Sequence, residues 1–371
     1  MILQYKNKKD INSILSSSPK AIFLSDIISS ENLIIKGDNL SCMKSLLDVH
    51  AGTIDLVYTD PPFSTNNIFR VGNDRVSTIS NSKKHDIAYS DKLKGDEFLE
   101  FIRERLVFLR ELLSNKGSIY LHTNYKIGHY IKIIMDEIFG QKNFRGDISR
   151  IKCNPKNFRR KAYGNIRDMI LFYSKTSNYI WNEPTIDMSA EQMNKLFNKT
   201  DKNGRKYTTN PLHAPGETIN GKSGQLWKGM LPPEGRHWRF SPDVLDKLES
   251  DGLIEWSKKG VPRKIIFADD HGKAKLQDIW EFKDSQKPIY PTEKNLEMLK
   301  TIINASSNEN SFVLDCFSGS GSTLFAAAEL GRQWIGIDNS EKAINICRKR
   351  FDKLEPRMLH DNYKYSYLEQ Q

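Results

Sequence analysis

Cysteine is scarce in this chain and never clustered: Cys42, Cys153, Cys316 and Cys347 stand apart, with no C-x-x-C and no adjoining Cys/His set. That pattern excludes a disulfide framework and a zinc ribbon, and suits free thiols in a reducing cytoplasm. Long apolar runs are missing too. No stretch approaches the ~20 residues that span a bilayer, and the opening MILQYKNKKDINS lacks the apolar centre of a secretory signal. A cytoplasmic protein without membrane attachment is the expectation. Acid is in deficit, with 46 Asp and Glu against 56 Lys and Arg, a net charge of +10. Such a balance fits a polyanionic partner. At 371 residues, 38% hydrophobic and 27% charged, the chain can build a large core or two domains.

What is present begins with residues 54–63, IDLVYTDPPF. Ile54 to Thr59 is a short apolar, β-branched run of the kind that forms a buried parallel strand. Asp60-Pro61-Pro62-Phe63 then stops it. Neither proline donates to a ladder and each fixes its own φ, so the chain leaves the sheet as a stiff, extended turn. A carboxylate, proline carbonyls and an aromatic face thus stand where open α/β sheets place their ligands. They suit a flat amino-substituted ring: the carboxylate and a carbonyl accept from the NH2, and the aromatic stacks. The alternative is a strand ending in a Pro-Pro turn, with Asp60 as a solvated turn former. The tetrapeptide alone leaves both open.

Before this stretch, residues 1–30 are weakly patterned and read as a surface extension. Leu33 to Ile35 reads as a strand, and a helix follows Lys36-Gly37-Asp38-Asn39-Leu40 to about Leu47. After it, residues 64–95 are polar and few are apolar, a connection whose length often marks a functional lid. The spacing of Phe98, Phe101, Ile102, Leu106, Leu109, Leu112 and Leu113 predicts an amphipathic helix over Gly95–Ser114. A strand over Gly117–His122 and a helix over Lys126–Phe139 come next. Strands alternating with helices imply a mainly parallel sheet.

The character changes near residue 142. From Lys142 to Lys175 there are ten basic residues, opposed only by Asp147 and Asp168, with Phe144, Phe158 and Tyr163 interleaved. A charge run is more often a solvated face than a site, but the aromatics raise nucleic acid above that default. Arg150, Lys152, Lys156, Arg159, Arg160 and Lys161 are the candidate DNA contacts. Residues 151–284 are loop-rich and read as a separate lobe. Within it, Gly216 to Ser223 matches the phosphate-loop pattern G-x-x-x-x-G-K-[ST]. The pattern needs a buried strand before it and a helix after it, and the neighbouring Pro and Gly residues supply neither.

Alternation returns with a strand over Phe312–Phe317, a tight Ser318-Gly319-Ser320-Gly321 loop, an Ala-rich helix over Ser322–Leu330 and a strand over Gln333–Ile337 ending at Asp338. Gly331 is placed to cap the helix. An acid 19 positions after Gly319 is placed to bond ribose hydroxyls. Leu324 stands where a dinucleotide fingerprint needs its third glycine, so a nucleoside ligand without pyrophosphate fits better than NAD or FAD.

Together the two stretches resemble the S-adenosylmethionine-dependent amino-methyltransferases of DNA. Their (D/N/S)-P-P-(Y/F/W) motif stands here as Asp60-Pro61-Pro62-Phe63, and their L-D-P-F-x-G-S-G-T-T loop as Leu314-Asp315-Cys316-Phe317-Ser318-Gly319-Ser320-Gly321-Ser322-Thr323. Catalytic motif first, recognition region in the middle and cofactor loop last is the circularly permuted β-class order. The family's H-P-T-x-K-P reads Tyr290-Pro291-Thr292-Glu293-Lys294-Asn295, and its G-D-x-L reads Gly37-Asp38-Asn39-Leu40. The middle region (LWKGMLPPEGRHWRFSP) is similar to recognition regions of restriction-modification enzymes.

The resemblance implies a Rossmann-like, mainly parallel α/β sheet, with 1–150 and 285–371 as catalytic domain and 151–284 as an inserted DNA target-recognition region. It implies S-adenosylmethionine held by Asp38 and Leu40 at the adenine, Thr292 and Lys294 at the methionine end, Asp315, Phe317, Gly319, Gly321, Ser322 and Thr323 in the loop, and Asp338 at the ribose. Asp60 and the Pro61 carbonyl would orient a flipped-out adenine, with Phe63 stacked on it and no metal. Duplex DNA is the implied partner, and a homodimer and a cognate restriction endonuclease are open. Rival readings are cytosine-N4 methylation by the same fold, an RNA or protein methyltransferase, and a non-catalytic DNA-binding subunit.

Overall fold

The computed structural model describes residues 2–27, 31–62, 95–155, 161–218, 220–284, 293–353 and 363–371, with the backbone alone of 68–71 and 86–90. Two compact units are present, Met1–Pro184 with Gln277–Gln371, and Thr185–Leu276. The expected lobe of 151–284 is therefore too wide. Residues 151–184 and 277–284 belong to the first unit because they supply strands to its sheet.

The first unit is built on a nine-stranded sheet. In chain order its strands are β1 (Leu33–Lys36), β2 (Ile54–Thr59), β3 (Leu113–Thr123), β4 (Phe144–Ile151), β5 (Arg167–Ser174), β6 (Ile279–Trp280), β7 (Phe312–Asp315), β8 (Gln333–Asp338) and β9 (Ser366–Glu369). Their spatial order is β6-β4-β5-β3-β2-β7-β8-β1-β9. Only β5 runs against its neighbours β3 and β4; every other pairing is parallel. The run Ile54 to Tyr58 is almost wholly buried, as a strand covered on both faces must be. Helices α1 (Asn39–His50), α2 (Gly95–Leu112), α3 (Gly128–Phe139), α4 (Leu296–Ser306), α5 (Ser322–Glu329) and α6 (Glu341–Asp352) connect the strands. α1 packs on α2, α2 on α3, and α4 on α5. Residues 68–71 and 86–90 pair as two antiparallel strands.

The amino-terminal extension is more than a surface strand of chain. It carries a short helix, Ile11–Ser17, whose Ile14 is buried in the main core. The Tyr5 hydroxyl donates to Glu100 and Lys8 pairs with Glu137 at 2.6 Å, pinning the segment to α2 and α3.

The second unit has a four-stranded antiparallel sheet in the order 254–256, 262–267, 206–211, 199–200. Its own small core holds Leu212, Trp227, Trp238 and Leu245. Trp227 stacks on Trp256 with ring centroids 5.5 Å apart and donates to Asp246 at 2.8 Å. Within the phosphate-loop look-alike, Lys222–Gly224 forms a single 3-10 turn instead of a helix, so no row of helix amides faces a phosphate.

Candidate active site

β2 and β7 are neighbours, with Val57 paired to Leu314. Asp60 and Phe317 each lie three residues beyond that pair, so the Pro-Pro turn and the glycine loop leave side by side from the carboxyl ends of two adjacent central strands. The Thr59 hydroxyl lies 3.5 Å from Cys316 Sγ and ties the two exits together. Burial pushes the Cys316 thiol up to about 12, so it acts as a small apolar group where the family pattern has proline.

In the loop, Gly319 and Gly321 have φ of +53° and +77°, a left-handed conformation that glycine adopts without penalty. At Gly321 a side chain would also collide with Cys347 Sγ. The loop is braced by two carboxylates. Asp315 accepts from the Phe317 amide at 3.1 Å and from the Thr323 hydroxyl at 2.7 Å. Its burial, helped by the charges of Asp60 and Asp338, pushes it up to about 7 against the pull of those two donors. Asp338 accepts from the Gly319 amide and the Ser340 amide, both at 2.8 Å, and desolvation raises it as well. Gly321 caps α5 without a side-chain bond, leaving first-turn amides for a ligand. The Ser318 hydroxyl is buried with no hydrogen-bond partner among the described residues. A buried orphan and an uncapped helix start are what a polar cofactor would satisfy.

Asp38 caps α1, accepting from the Ser41 amide at 3.0 Å, while Leu40 packs half-buried against the main core. A residue outside the sequence motifs organises this corner. Arg105 of α2 donates to Asn39 Oδ1 at 2.6 Å and Asp38 Oδ1 at 3.2 Å, and lies 3.5 Å from the Phe101 ring centroid. Asn39 in turn donates to the Cys316 carbonyl at 2.8 Å, and Phe101 meets Phe317 at 6.1 Å. Arg105 thus links the first cofactor motif to the glycine loop. Its signal was an arginine within the apolar stripe of α2.

Pro61 is buried and Pro62 half-buried beside Asp60, whereas Phe63 and Thr292 lie outside the described residues. Lys294, expected at the methionine end of a cofactor, donates to Asp60 Oδ2. The second carboxylate oxygen, Oδ1, is buried and has no partner among the described residues. Near the turn runs a buried polar chain that sequence reading missed. Tyr58 of β2 bonds His122 Nδ1 at 2.9 Å, and His122 Nε2 reaches Asp168 at 3.3 Å. Burial alone would raise the Asp168 carboxyl, but the His122 bond and the Lys152 ammonium, 2.7 Å away, outweigh it and hold it well below its ordinary range.

That chain changes the reading of the basic run. Arg150 is not a DNA contact: its side chain is fully buried, donates to the Phe282 carbonyl at 2.8 Å and pairs with Asp284. Strand alternation turns Arg150 inward with Ile148. Lys152 is occupied by Asp168. Lys161 is exposed, and Lys156, Arg159 and Arg160 lie outside the described residues. Among the described residues no group of three or more His, Cys, Asp or Glu could hold a metal ion, and no helix is long and apolar enough to cross a membrane.

The two motifs, brought together at the carboxyl ends of adjacent strands, define a class. A DNA methylase family model (N6_N4_Mtase) matches residues 54–349, and the chain belongs to that family. It is similar to the type II methyltransferase M.EcaI of Enterobacter cloacae, 39% identical over 362 residues, covering 94% of this chain and 77% of that protein. It is also similar to the StyLTI Mod subunit of a type III restriction-modification enzyme from Salmonella typhimurium. The identity is 24% over 352 residues, covering 86% of this chain and 52% of that subunit. Among solved structures it aligns with the M1.HpyAVI-SAM complex at a TM-score of 0.46 and 18% identity, covering 86% of this chain and 99% of the other.

Proposed function

We propose that this chain transfers a methyl group from S-adenosylmethionine to the exocyclic N6 of an adenine extruded from duplex DNA. The observation that carries the reading is Asp60 Oδ1: a buried acceptor without a partner among the described residues, beside the glycine loop and at the turn that suits an amino-substituted ring. A buried acceptor left unpaired costs ~1–3 kcal/mol, and an incoming NH2 removes that cost. The cofactor, when bound, supplies an electrophilic methyl on sulfur. Asp338, Asp315 and the two glycines shape its loop, and the family resemblance assigns Asp38 and Leu40 to its adenine. Asp60 and the Pro61 carbonyl orient the amine so that its lone pair faces the methyl, and most of the acceleration comes from that positioning.

Aspartate in the first motif position favours adenine over cytosine on the family resemblance. A carboxylate is also the stronger acceptor, since charge-assisted hydrogen bonds are roughly twice as strong as neutral ones. Cytosine N4 is the second reading, because the family spans both bases. A companion endonuclease belongs to the proposal by analogy with the Mod-subunit relative. The test is incubation with duplex DNA and labelled cofactor, followed by nucleoside analysis. N6-methyladenine is the expected product, lost in Asp60→Ala while cofactor binding persists. N4-methylcytosine as the main product would overturn the base assignment, and a fully active Asp60→Ala protein would overturn the mechanism.

A further inference from the structure

Glu293, Lys294 and Asn295 are consecutive, and each holds a different part of the site. Lys294 Nζ donates to Asp60 Oδ2. Glu293 accepts from Arg350 of α6 and lies 3.4 Å from the hydroxyl of Ser322, the first residue of α5; Arg350 donates to that same hydroxyl at 2.9 Å. Asn295 donates to the Lys283 carbonyl at 2.9 Å and caps α4 by accepting from the Met298 amide at 3.1 Å. The tripeptide is therefore clamped at both ends, with its middle side chain delivered to the catalytic turn.

Enclosure decides what the middle contact is worth. The Lys294 and Asp60 side chains are only 10% and 16% exposed. An exposed pair of this kind contributes little, but at this depth each charge needs the other, and removing one strands its partner. The pairing also selects between the two oxygens: Oδ2 is taken, and Oδ1 has no partner among the described residues and is left to accept.

We propose that Lys294 is a positioning residue that fixes the rotation of the Asp60 carboxylate so that Oδ1 faces the amine, and that the Glu293–Arg350 pair ties this aim to the first turn of α5. Acceptor and cofactor loop then keep a constant spacing. The inference rests on the proposed methyl transfer and gives Lys294 a role on the acceptor side of the site.

The experiment is a double-mutant cycle on the full chain, reading kcat on duplex DNA and cofactor affinity by calorimetry. Lys294→Met is expected to lower kcat about 100-fold, the scale of a misplaced reacting group, with cofactor affinity changed less than about 3-fold. Asp60→Asn keeps an amide acceptor that the family pattern allows and retains measurable activity. If Lys294 acts through Asp60, the double variant is no slower than the slower single one, because coupled residues are non-additive. Lys294→Arg restores part of kcat and serves in place of Lys294→Met should that protein not fold. Losses that multiply, or a cofactor affinity that falls in step with kcat, overturn the inference. A parent protein inactive on DNA removes the proposed function instead.

Discussion

The amide of Gly319 donates to Oδ2 of Asp338 at 2.8 Å across 19 positions of sequence. The acid expected to hold a ribose also shapes the loop that would lie over it. Asp338→Ala should therefore weaken S-adenosylmethionine by about 1.5–3 kcal/mol, the range for a hydrogen bond to a charged group. Calorimetry with unchanged affinity would remove Asp338 from the cofactor site.

Gly321→Ala is expected to destabilise the protein by two routes. The left-handed φ costs a non-glycine residue roughly 1–2 kcal/mol, and the new methyl meets Cys347 Sγ. Adding Cys347→Ala should recover the steric part and leave the backbone part. Urea midpoints for both variants separate the two contributions, and equal midpoints would show that Cys347 does not constrain the loop.

Asp315 makes stability depend on pH in a stated direction. An unfolded carboxyl ionises near pH ~4, whereas burial pushes the folded group up to about 7. Between those values the folded state holds more protons, so this residue lowers stability as pH rises, by up to about 1.4 kcal/mol per pH unit. Below pH ~4 the effect is absent. Asp315→Asn should flatten the curve of unfolding free energy between pH 4.5 and 7, and a curve as steep as the parent's would contradict this.

For DNA, neutralising Arg159, Arg160 and Lys161 together should weaken specific and unrelated duplexes alike and reduce the salt slope by up to ~0.9 per lost phosphate contact. Arg150→Gln should behave differently. It leaves Asp284 without its ion pair and Asp168 with less compensation, so it lowers thermal stability while the salt slope stays at the parent's value. A slope that falls in Arg150→Gln would restore that residue to the DNA face.

Residues 54–59, 312–315 and 333–338 were legible as strands because each is an apolar run stopped by turn-forming residues. β5 was not, although Met169 to Tyr173 is apolar. It runs antiparallel and so breaks the alternation that guided the reading, and it is embedded in a basic run. β6 has two residues and β9 a single buried one, Leu368, too little for any periodicity to show. In the candidate site, motif spacing picked out Asp315 and Asp338, whose partners are local or follow from the βαβ pattern, and the tetrapeptide picked out Asp60. Lys294 and Asp60 are 234 positions apart, and only the fold brings them together. Arg105 and Arg150 carried a readable signal, a charge on the inward stripe of a helix and on the inward alternation of a strand, and a count of net charge obscured both.

The strand order also sets a timetable for synthesis. β1 is made long before its neighbours, β8 and β9, which come from residues 333–338 and 366–369. β2 likewise waits for β7 to close its second edge. Until residues 312–315, 333–338 and 366–369 are made, the ribosome therefore carries a chain with open strand edges, the templates from which β-aggregates start. Contacts this distant in sequence are slow to form once the chain is released. Recombinant yield of soluble protein should accordingly rise when elongation is slowed by cooling or when holding chaperones are co-expressed, and a circular permutant that brings β7 and β8 next to β1 and β2 in sequence should depend less on either.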